Sequence, residues 1–311
     1  MSPARLFPFA QQMNLRPAGW GQAFARAAET SQRALPRIHG YRIERRVGQG
    51  RTSTAYLAQD IGAGGKRVLK VLRPDHAANE LRLAAFRQEF AVPHAVRHQH
   101  VIRVFDQAVG DRQIYIAMEY LGGGDLGRLI RCRPTAREAL ALLRQAASAL
   151  AELHRAGFVH GDIKPANLLL RYSGDLVLAD FGLARPLDSN FRPTRAGAIV
   201  GTPAYASPEQ AEGDPGGTAA DVYSLGVVFY EMLCGQTPFP GHTLMEVLCQ
   251  HLMAAVPRLP EPLASFQPLV DSMLAKKIVS RLPDGQALLD RIDLMAGSGS
   301  ADLRASRRDR K

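Results

Sequence analysis

The run Val159-His160-Gly161-Asp162-Ile163-Lys164-Pro165-Ala166-Asn167 is followed by Leu168-Leu169-Leu170, a turn at Tyr172-Ser173-Gly174-Asp175, and Leu176-Val177-Leu178-Ala179-Asp180-Phe181-Gly182. Two apolar, strand-like runs thus carry polar groups at their ends, and a short hairpin brings Asp162, Asn167 and Asp180 to one small volume. A carboxylate, an amide and a second carboxylate suit a hard, oxygen-seeking cation such as Mg²⁺. Lys164 supplies positive charge where an anionic group would pass. These residue types point to phosphate chemistry.

Other candidates are spread along the chain. Gly48-Gln49-Gly50-Arg51-Thr52-Ser53 joins two strand-like runs, so its backbone amides can cradle a phosphate, although such glycines also serve an ordinary hairpin turn. Lys70 lies in the apolar run Val68-Leu69-Lys70-Val71-Leu72, where a solvated lysine is out of place unless it points off a sheet edge. Glu89, on a helix-period segment, is the counter-charge that would keep such a lysine ionised; the bland alternative is a surface glutamate. Asp180-Phe181-Gly182 closes an apolar strand, and beyond a polar loop come Gly201-Thr202-Pro203-Ala204-Tyr205-Ala206-Ser207-Pro208-Glu209 and Asp221-Val222-Tyr223-Ser224-Leu225-Gly226. Singly each piece is ordinary; the ordered set is not.

The elements that must position these residues fall into two groups. Tyr41 to Val47, Thr54 to Gln59, Lys66 to Leu72, Val101 to Gln107 and Ile114 to Tyr120 alternate like strands, interrupted by a helix from Asn79 to about Val92. That order, β-β-β-α-β-β, describes a small, mostly antiparallel sheet with a single helix. After Gly122-Gly123-Gly124, a hinge candidate, the pattern turns helical: Ala136 to Arg155, Asp221 to Leu233, Leu244 to Met253, Phe266 to Leu274 and Gly285 to Met295. The organisation expected is therefore a leader at 1–39 with one helix-period stretch between Trp20 and Leu35, a first lobe at 41–121, a second at 122–296, and a basic disordered tail at 297–311.

Composition narrows the classes. The 311 residues are 46% apolar, enough for a sizeable core, and no run approaches the ~18 apolar residues of a membrane helix. The N-terminus lacks a signal-peptide pattern, which makes the expected location cytoplasmic. Cys132, Cys234 and Cys249 are widely spaced and read as reduced packing residues. The net charge of +10 is scattered, except in the run from Arg304 to Lys311, so no nucleic-acid partner is expected.

In combination these motifs resemble the eukaryotic-like, bacterial-type Ser/Thr protein kinases, over Tyr41 to about Met295. The resemblance implies a two-lobed α+β fold, with an antiparallel-sheet lobe carrying one helix and a larger, mainly helical lobe. It implies ATP as phosphate donor, Mg²⁺ or Mn²⁺, and a protein substrate bearing Ser or Thr; control is expected from a regulatory protein partner, the leader or the gene's context. Gly48, Gly50 and Ser53 match the lid over the phosphates. Lys70 matches the lysine holding the α- and β-phosphates, with Glu89 its helix partner. Ala55, Val68, Met118, Glu119, Leu121 and Leu169 match the adenine slot and hinge, and Asp125 the ribose contact. Asp162 would accept or orient the acceptor proton, Lys164 would steady the γ-phosphate, and Asn167 and Asp180 would hold the metal. Thr202 would bond Asp162 and Lys164, Glu209 would pair with Arg281 beneath the substrate floor, and Asp221 would brace the catalytic-loop backbone. Lys164 and the Gly201-Thr202-Pro203 run resemble the Ser/Thr branch of the family. Two rival readings stay open: a scaffold that keeps the fold without the chemistry, and a small-molecule phosphotransferase of the aminoglycoside or choline kinase type, which His160-Gly161-Asp162 also resembles.

Four departures from the family pattern stand out. Ser53 replaces the third lid glycine, at a cost in backbone freedom at the lid tip. Ala55 and Val68 exchange the usual valine and alanine of the adenine slot, nearly conserving volume. Pro93, a turn after Glu89, removes a helix hydrogen bond and threatens to end the helix early. Gly161 replaces an arginine that grips phosphate on the activation loop, where Thr194 is the candidate phosphosite. Activity independent of loop phosphate follows. Thr194→Ala is expected to leave phosphotransfer within about threefold of the parent in a radiolabel assay; abolished transfer with ATP binding intact would refute this.

Overall fold

The computed structural model describes residues 35–50, 52–77, 79–109, 114–188 and 202–295. The leader helix, Arg51, Thr194, Gly201 and the basic tail lie outside the described residues. By packing, the chain forms two units: 35–83, 104–123 and 171–174 make the first, and 84–103, 124–170 and 175–295 the second.

The first unit is built on strands β1 (Tyr41–Gln49), β2 (Ser53–Asp60), β3 (Lys66–Leu72), β4 (Val104–Val109) and β5 (Ile114–Glu119). All neighbours are antiparallel, in the order β1-β2-β3-β5-β4. The β2–β3 turn takes Gly64 and Gly65 through φ of 73° and 83°, while the Asp60 carboxylate accepts from the amides of Gly62 and Ala63 at 3.1 and 2.9 Å. Register sorts the side chains. Leu69, Tyr115, Ala117 and Ala58 pack with Ile38 into a cluster on one face. Ser53, Ala55, Leu57, Val68, Lys70, Ile116 and Met118 alternate onto the other, because directly opposed residues share a face and the period is two.

Two helices enter between β3 and β4, where one was expected. Helix α1 is a single turn, Pro74–Ala77, opened by a proline whose missing N–H costs nothing at that position. Helix α2, Glu80–Ala95, begins at Asn79, whose side chain accepts from the Arg82 amide at 3.1 Å. It runs through Pro93 instead of stopping there. The proline is buried, and the bond from Val96 N to Val92 O, 2.8 Å, keeps the last turn closed. The strand expected from Val101 starts only at Val104. Val101 and Ile102 are buried and serve the second unit, with Ile102 N donating to Leu178 O at 2.9 Å. One apolar run is thus shared between two sheets.

In the second unit, β6 (Gly124–Asp125), β8 (Leu168–Leu170) and β9 (Leu176–Leu178) form a small sheet, and β7 (Phe158–Val159) pairs with β10 (Arg185–Pro186). Helix α3 is Leu126–Arg131. Helix α4, Ala136–Arg155, starts in a capping box between Thr135 and Glu138 and stops before Gly157 at φ 81°. Its buried stripe of Ala139, Leu142, Leu143, Ala146, Leu150 and Leu153 faces α6 and β9. After the short α5 (Pro208–Ala211), helix α6 (Thr218–Cys234) is buried on every face from Ala219 to Tyr230, a central post around which the unit packs. Helices α7 (Leu244–Met253), α8 (Gln267–Met273) and α9 (285–295) complete it. Cys132, Cys234 and Cys249 are all free thiols, and no described helix is long and apolar enough to cross a membrane.

Gly285 opens α9 against the backbone of α4. A Cβ there would overlap Ala151 N and lie 2.6 Å from Leu150 C, so backbone would have to move. Gly285→Ala is accordingly expected to destabilise the chain by about 2 kcal/mol or more, read from urea unfolding midpoints.

Candidate active site

The β8–β9 hairpin and the loop before it bring together the candidate residues Asp162, Lys164, Asn167 and Asp180. Asp162 and Lys164 flank Ile163, which is buried and anchors the loop. Lys164 Nζ donates to Asp162 Oδ2 at 2.5 Å and to Thr202 Oγ1 at 2.9 Å; the Thr202 hydroxyl in turn donates to Asp162 Oδ1 at 3.2 Å. The three side chains close a triangle. Both carboxylate oxygens are engaged, so the carboxylate has one orientation. Asn167, buried in the 3₁₀ turn Pro165–Asn167, donates from Nδ2 to Asp162 O (2.8 Å) and to Asp162 Oδ2 (3.2 Å). Its amide hydrogens are spent, which leaves Oδ1 as a fixed acceptor.

Asp180 stands beside it across the hairpin, because Ala179 N donates to Asn167 O at 2.9 Å. Asp180 takes φ 63°, a left-handed conformation that a short polar side chain tolerates. Among the described residues no cluster of three His, Cys, Asp or Glu gathers as a metal cage. An amide oxygen and a carboxylate fit Mg²⁺ instead, which favours one or two protein ligands and takes the rest from phosphate and water. Glu89 is buried, not a surface residue; a Cβ at Gly182 would lie 3.7 Å from Asp180 Oδ1 and 4.0 Å from Glu89 Oε2.

A second layer holds this loop. Asp221, on the buried post α6, accepts from His160 N at 2.7 Å, from Gly161 N at 2.8 Å and from His154 Nε2 at 3.0 Å. Gly285 N donates to His154 Nδ1 at 3.0 Å, so the Nε2 hydrogen is the one facing Asp221. Burial alone would raise the Asp221 pKa, but the His154 hydrogen bond, with the His160 contacts, holds it below the usual carboxylate range. His160 Nε2 donates to Ala179 O at 3.2 Å, and the ring meets Phe181 edge to face at 5.0 Å. Gly161 sits at φ 78°, and a Cβ on it would lie 3.2 Å from Leu183 O.

The first unit presents the remaining candidates. Lys70 lies on β3, between β2 and β5, so it is no edge residue; it is half-buried in a row with Ala55 and Ile116. Val68 opposes Leu57 and Met118 in the next row of that face. Ala55 and Val68 are therefore neighbours on one surface, and their exchange moves a branched side chain from one row to the next. Gly48 opposes Ala55, and Gly50 N donates to Ser53 O at 2.8 Å. Ser53 is not at the tip of that turn: it opens β2 opposite Leu72 and is buried. Glu119 faces away from this surface, accepting two bonds from Arg171 Nη2 at 3.0 and 3.1 Å. Leu121 is half-buried just past β5. In the second unit, Leu169 is half-buried between the buried Leu168 and Leu170, and Asp125 caps α3 by accepting from Arg128 N at 2.9 Å.

Comparison with known proteins decides what this arrangement is. The protein kinase domain family model matches residues 41–290. The chain belongs to that family. The chain is 37% identical, over 84% of its length, to Serine/threonine-protein kinases drp72 of Corynebacterium efficiens, of which it covers 52%. It is 36% identical over 80% of this chain to Serine/threonine-protein kinases PknA of Corynebacterium glutamicum, covering 54% of it, and 35% identical over 71% to Serine/threonine-protein kinase PrkC of Bacillus subtilis, covering 34%. The chain thus spans about half or less of the length of these relatives.

The kinase domain also uses residues that sequence reasoning passed over. His154 and Gln210 are two of them. Gln210 closes a capping box with Ser207, and its Nε2 donates to Gly161 O at 3.4 Å. Neither carries a local signal beyond helix periodicity. Glu209 accepts from Arg281 Nη1 and Nη2 at 2.7 and 3.0 Å, a buried, bidentate pair where one was expected.

Asp221→Asn leaves one acceptor for three donors and turns an amide N–H toward another. The expected loss is about 3 kcal/mol at pH 7, read from urea unfolding of parent and variant. Because the Asp221 pKa is lowered on folding, its ionised form contributes fully above the ordinary carboxylate range, and that contribution is lost as pH falls through the folded value. The difference between parent and variant should therefore shrink as the pH is taken down.

Proposed function

We propose that the chain is an ATP-dependent Ser/Thr protein kinase that transfers the γ-phosphate to protein hydroxyls. The observation that carries this is the Asp162–Lys164–Thr202 triangle, a carboxylate and an ammonium locked side by side at the end of the hairpin. The names of the relatives support it.

In this reading Asp162 receives or orients the proton of the acceptor hydroxyl, and its fixed orientation supplies the alignment that in-line transfer needs. Lys164, two residues on, sets its charge against the transferring phosphoryl group. Lys70 holds the α- and β-phosphates, and the surface of Gly48, Ser53, Ala55, Val68 and Met118 takes the purine and phosphates. Asn167 Oδ1 and the Asp180 carboxylate hold Mg²⁺, which neutralises phosphate charge when bound. The buried Glu209–Arg281 pair, which anchors the chain just after the Thr202–Tyr205 turn, suits a broad floor for a polypeptide more than a pocket for a small alcohol.

Gly161 bears on control. With a left-handed φ and Leu183 O 3.2 Å from where a Cβ would stand, a side chain at this position is strained, and the glycine itself has no group to grip a phosphate, which supports activity without loop phosphate.

Transfer of labelled phosphate to a casein-like protein, with an aminoglycoside as the competing acceptor, tests the reading. Asp162→Ala is expected to reduce transfer by about 10³-fold or more while ATP binding persists. Lys70→Ala is expected to weaken ATP binding as well. Equal signals from the parent and Asp162→Ala would favour a scaffold, and labelling of the aminoglycoside alone would favour the small-molecule enzyme.

A further inference from the structure

Behind the Thr202–Tyr205 turn lies a chain of buried polar groups that the phosphotransfer chemistry does not use. Within the 3₁₀ turn Pro203–Tyr205 the first two carbonyls are satisfied locally: Tyr205 N donates to Thr202 O at 2.9 Å and Ala206 N to Pro203 O at 3.2 Å. The next two are held from outside. Ser224 Oγ, on α6, donates to Tyr205 O at 2.7 Å, and His251 Nε2, on α7, meets Ala204 O at 3.2 Å.

The protonation of His251 follows from its partners. Lys276 Nζ has only hydrogens to give, and donates to Tyr223 Oη and to Gln250 O, both at 3.2 Å. Tyr223 Oη therefore directs its own hydrogen at His251 Nδ1, 3.0 Å away, and the imidazole hydrogen must sit on Nε2, facing a carbonyl that can only accept. One neutral tautomer satisfies the whole line from Lys276 through Tyr223 and His251 to Ala204. The packing enforces it: the Phe239 ring lies 3.8 Å from Lys276 Nζ and edge-on to His251 at 5.0 Å. Burial, and then the Lys276 charge, push the His251 imidazole down to about 4, so it stays neutral.

Thr202 bonds both Asp162 and Lys164, so the turn that follows it is backbone tied directly to the proposed transfer site. We propose that His251, oriented by Tyr223 and Lys276, is a positioning residue that fixes the Ala204 carbonyl and thereby the docking of the polypeptide acceptor. This rests on the protein kinase reading. It deepens that reading by giving acceptor binding its own support, separate from the residues that hold ATP. His251 touches neither substrate nor the reacting atoms.

The test uses the full chain and compares steady-state constants for a casein-like acceptor and for ATP. His251→Phe keeps a ring in the space and removes both hydrogen bonds; it is expected to raise the acceptor KM about tenfold, leaving kcat and the ATP KM within about twofold. His251→Gln keeps an N–H that can reach Ala204 O and is expected to recover most of the loss. Tyr223→Phe deletes only the hydroxyl, guards against a misfolded His251→Phe protein, and should shift the acceptor KM in the same direction. An unchanged acceptor KM in His251→Phe and Tyr223→Phe, or equal rises in both KM values, would overturn the relay while the kinase reading stands. A parent protein that transfers no phosphate would overturn both.

Discussion

The Asp221 carboxylate, fully buried on α6, is the interaction on which the site depends. A lone buried carboxylate is expensive, and the cost is offset because three donors converge on it: two consecutive backbone amides of the loop and the His154 ring. The consequence is directional. His160 and Gly161 cannot turn without leaving a buried charge short of hydrogen bonds, and Asp162 follows them directly. The rigidity of the Asp162 carboxylate is inherited from a residue buried on another element.

The same scheme repeats around the Thr202 turn. Post α6 supplies Ser224 to one carbonyl and Tyr223 to the histidine that holds another, while Arg281 donates to the Ala219 carbonyl as well as to Glu209. A helix buried on all faces is a costly place for polar side chains, yet α6 carries Asp221, Tyr223 and Ser224 in one turn. Asp221 and Ser224 bond backbone of the site's loops directly, and Tyr223 does so through His251. The helix is apolar where it meets α4 and α8 and polar where it steadies the reacting loops.

Much of this was legible in the sequence because the decisive residues are local. The hairpin around Asp162, Asn167 and Asp180 is set by strand patterning and a turn, and helices such as Ala136–Arg155 and Leu244–Met253 show their bounds through capping and periodicity. Pairings such as Glu209 with Arg281 came only from the family resemblance. What escaped was long-range. Val101 and Ile102 read as the start of a strand, but their backbone partner is 76 or more residues away in the chain, and no local pattern names it. Pro93 read as a helix end, whereas a buried ring and one more hydrogen bond carried α2 past it. The helix cap that Asp125 provides to α3, beside its reading as a ribose contact, was also passed over. His154 gave no signal because its importance lies in Asp221, 67 residues later.

Gly161 has a further consequence. Its left-handed backbone lets the chain pass under the Leu183 carbonyl, and its amide is one of the three on Asp221. Any side chain placed there would meet backbone on one side and strain the φ angle on the other, so accommodating it would mean re-routing the atoms that aim Asp162. The glycine at 161 is therefore a hinge pin: the turn at Leu183 and the loop that aims Asp162 are fitted to each other through the space its missing side chain leaves.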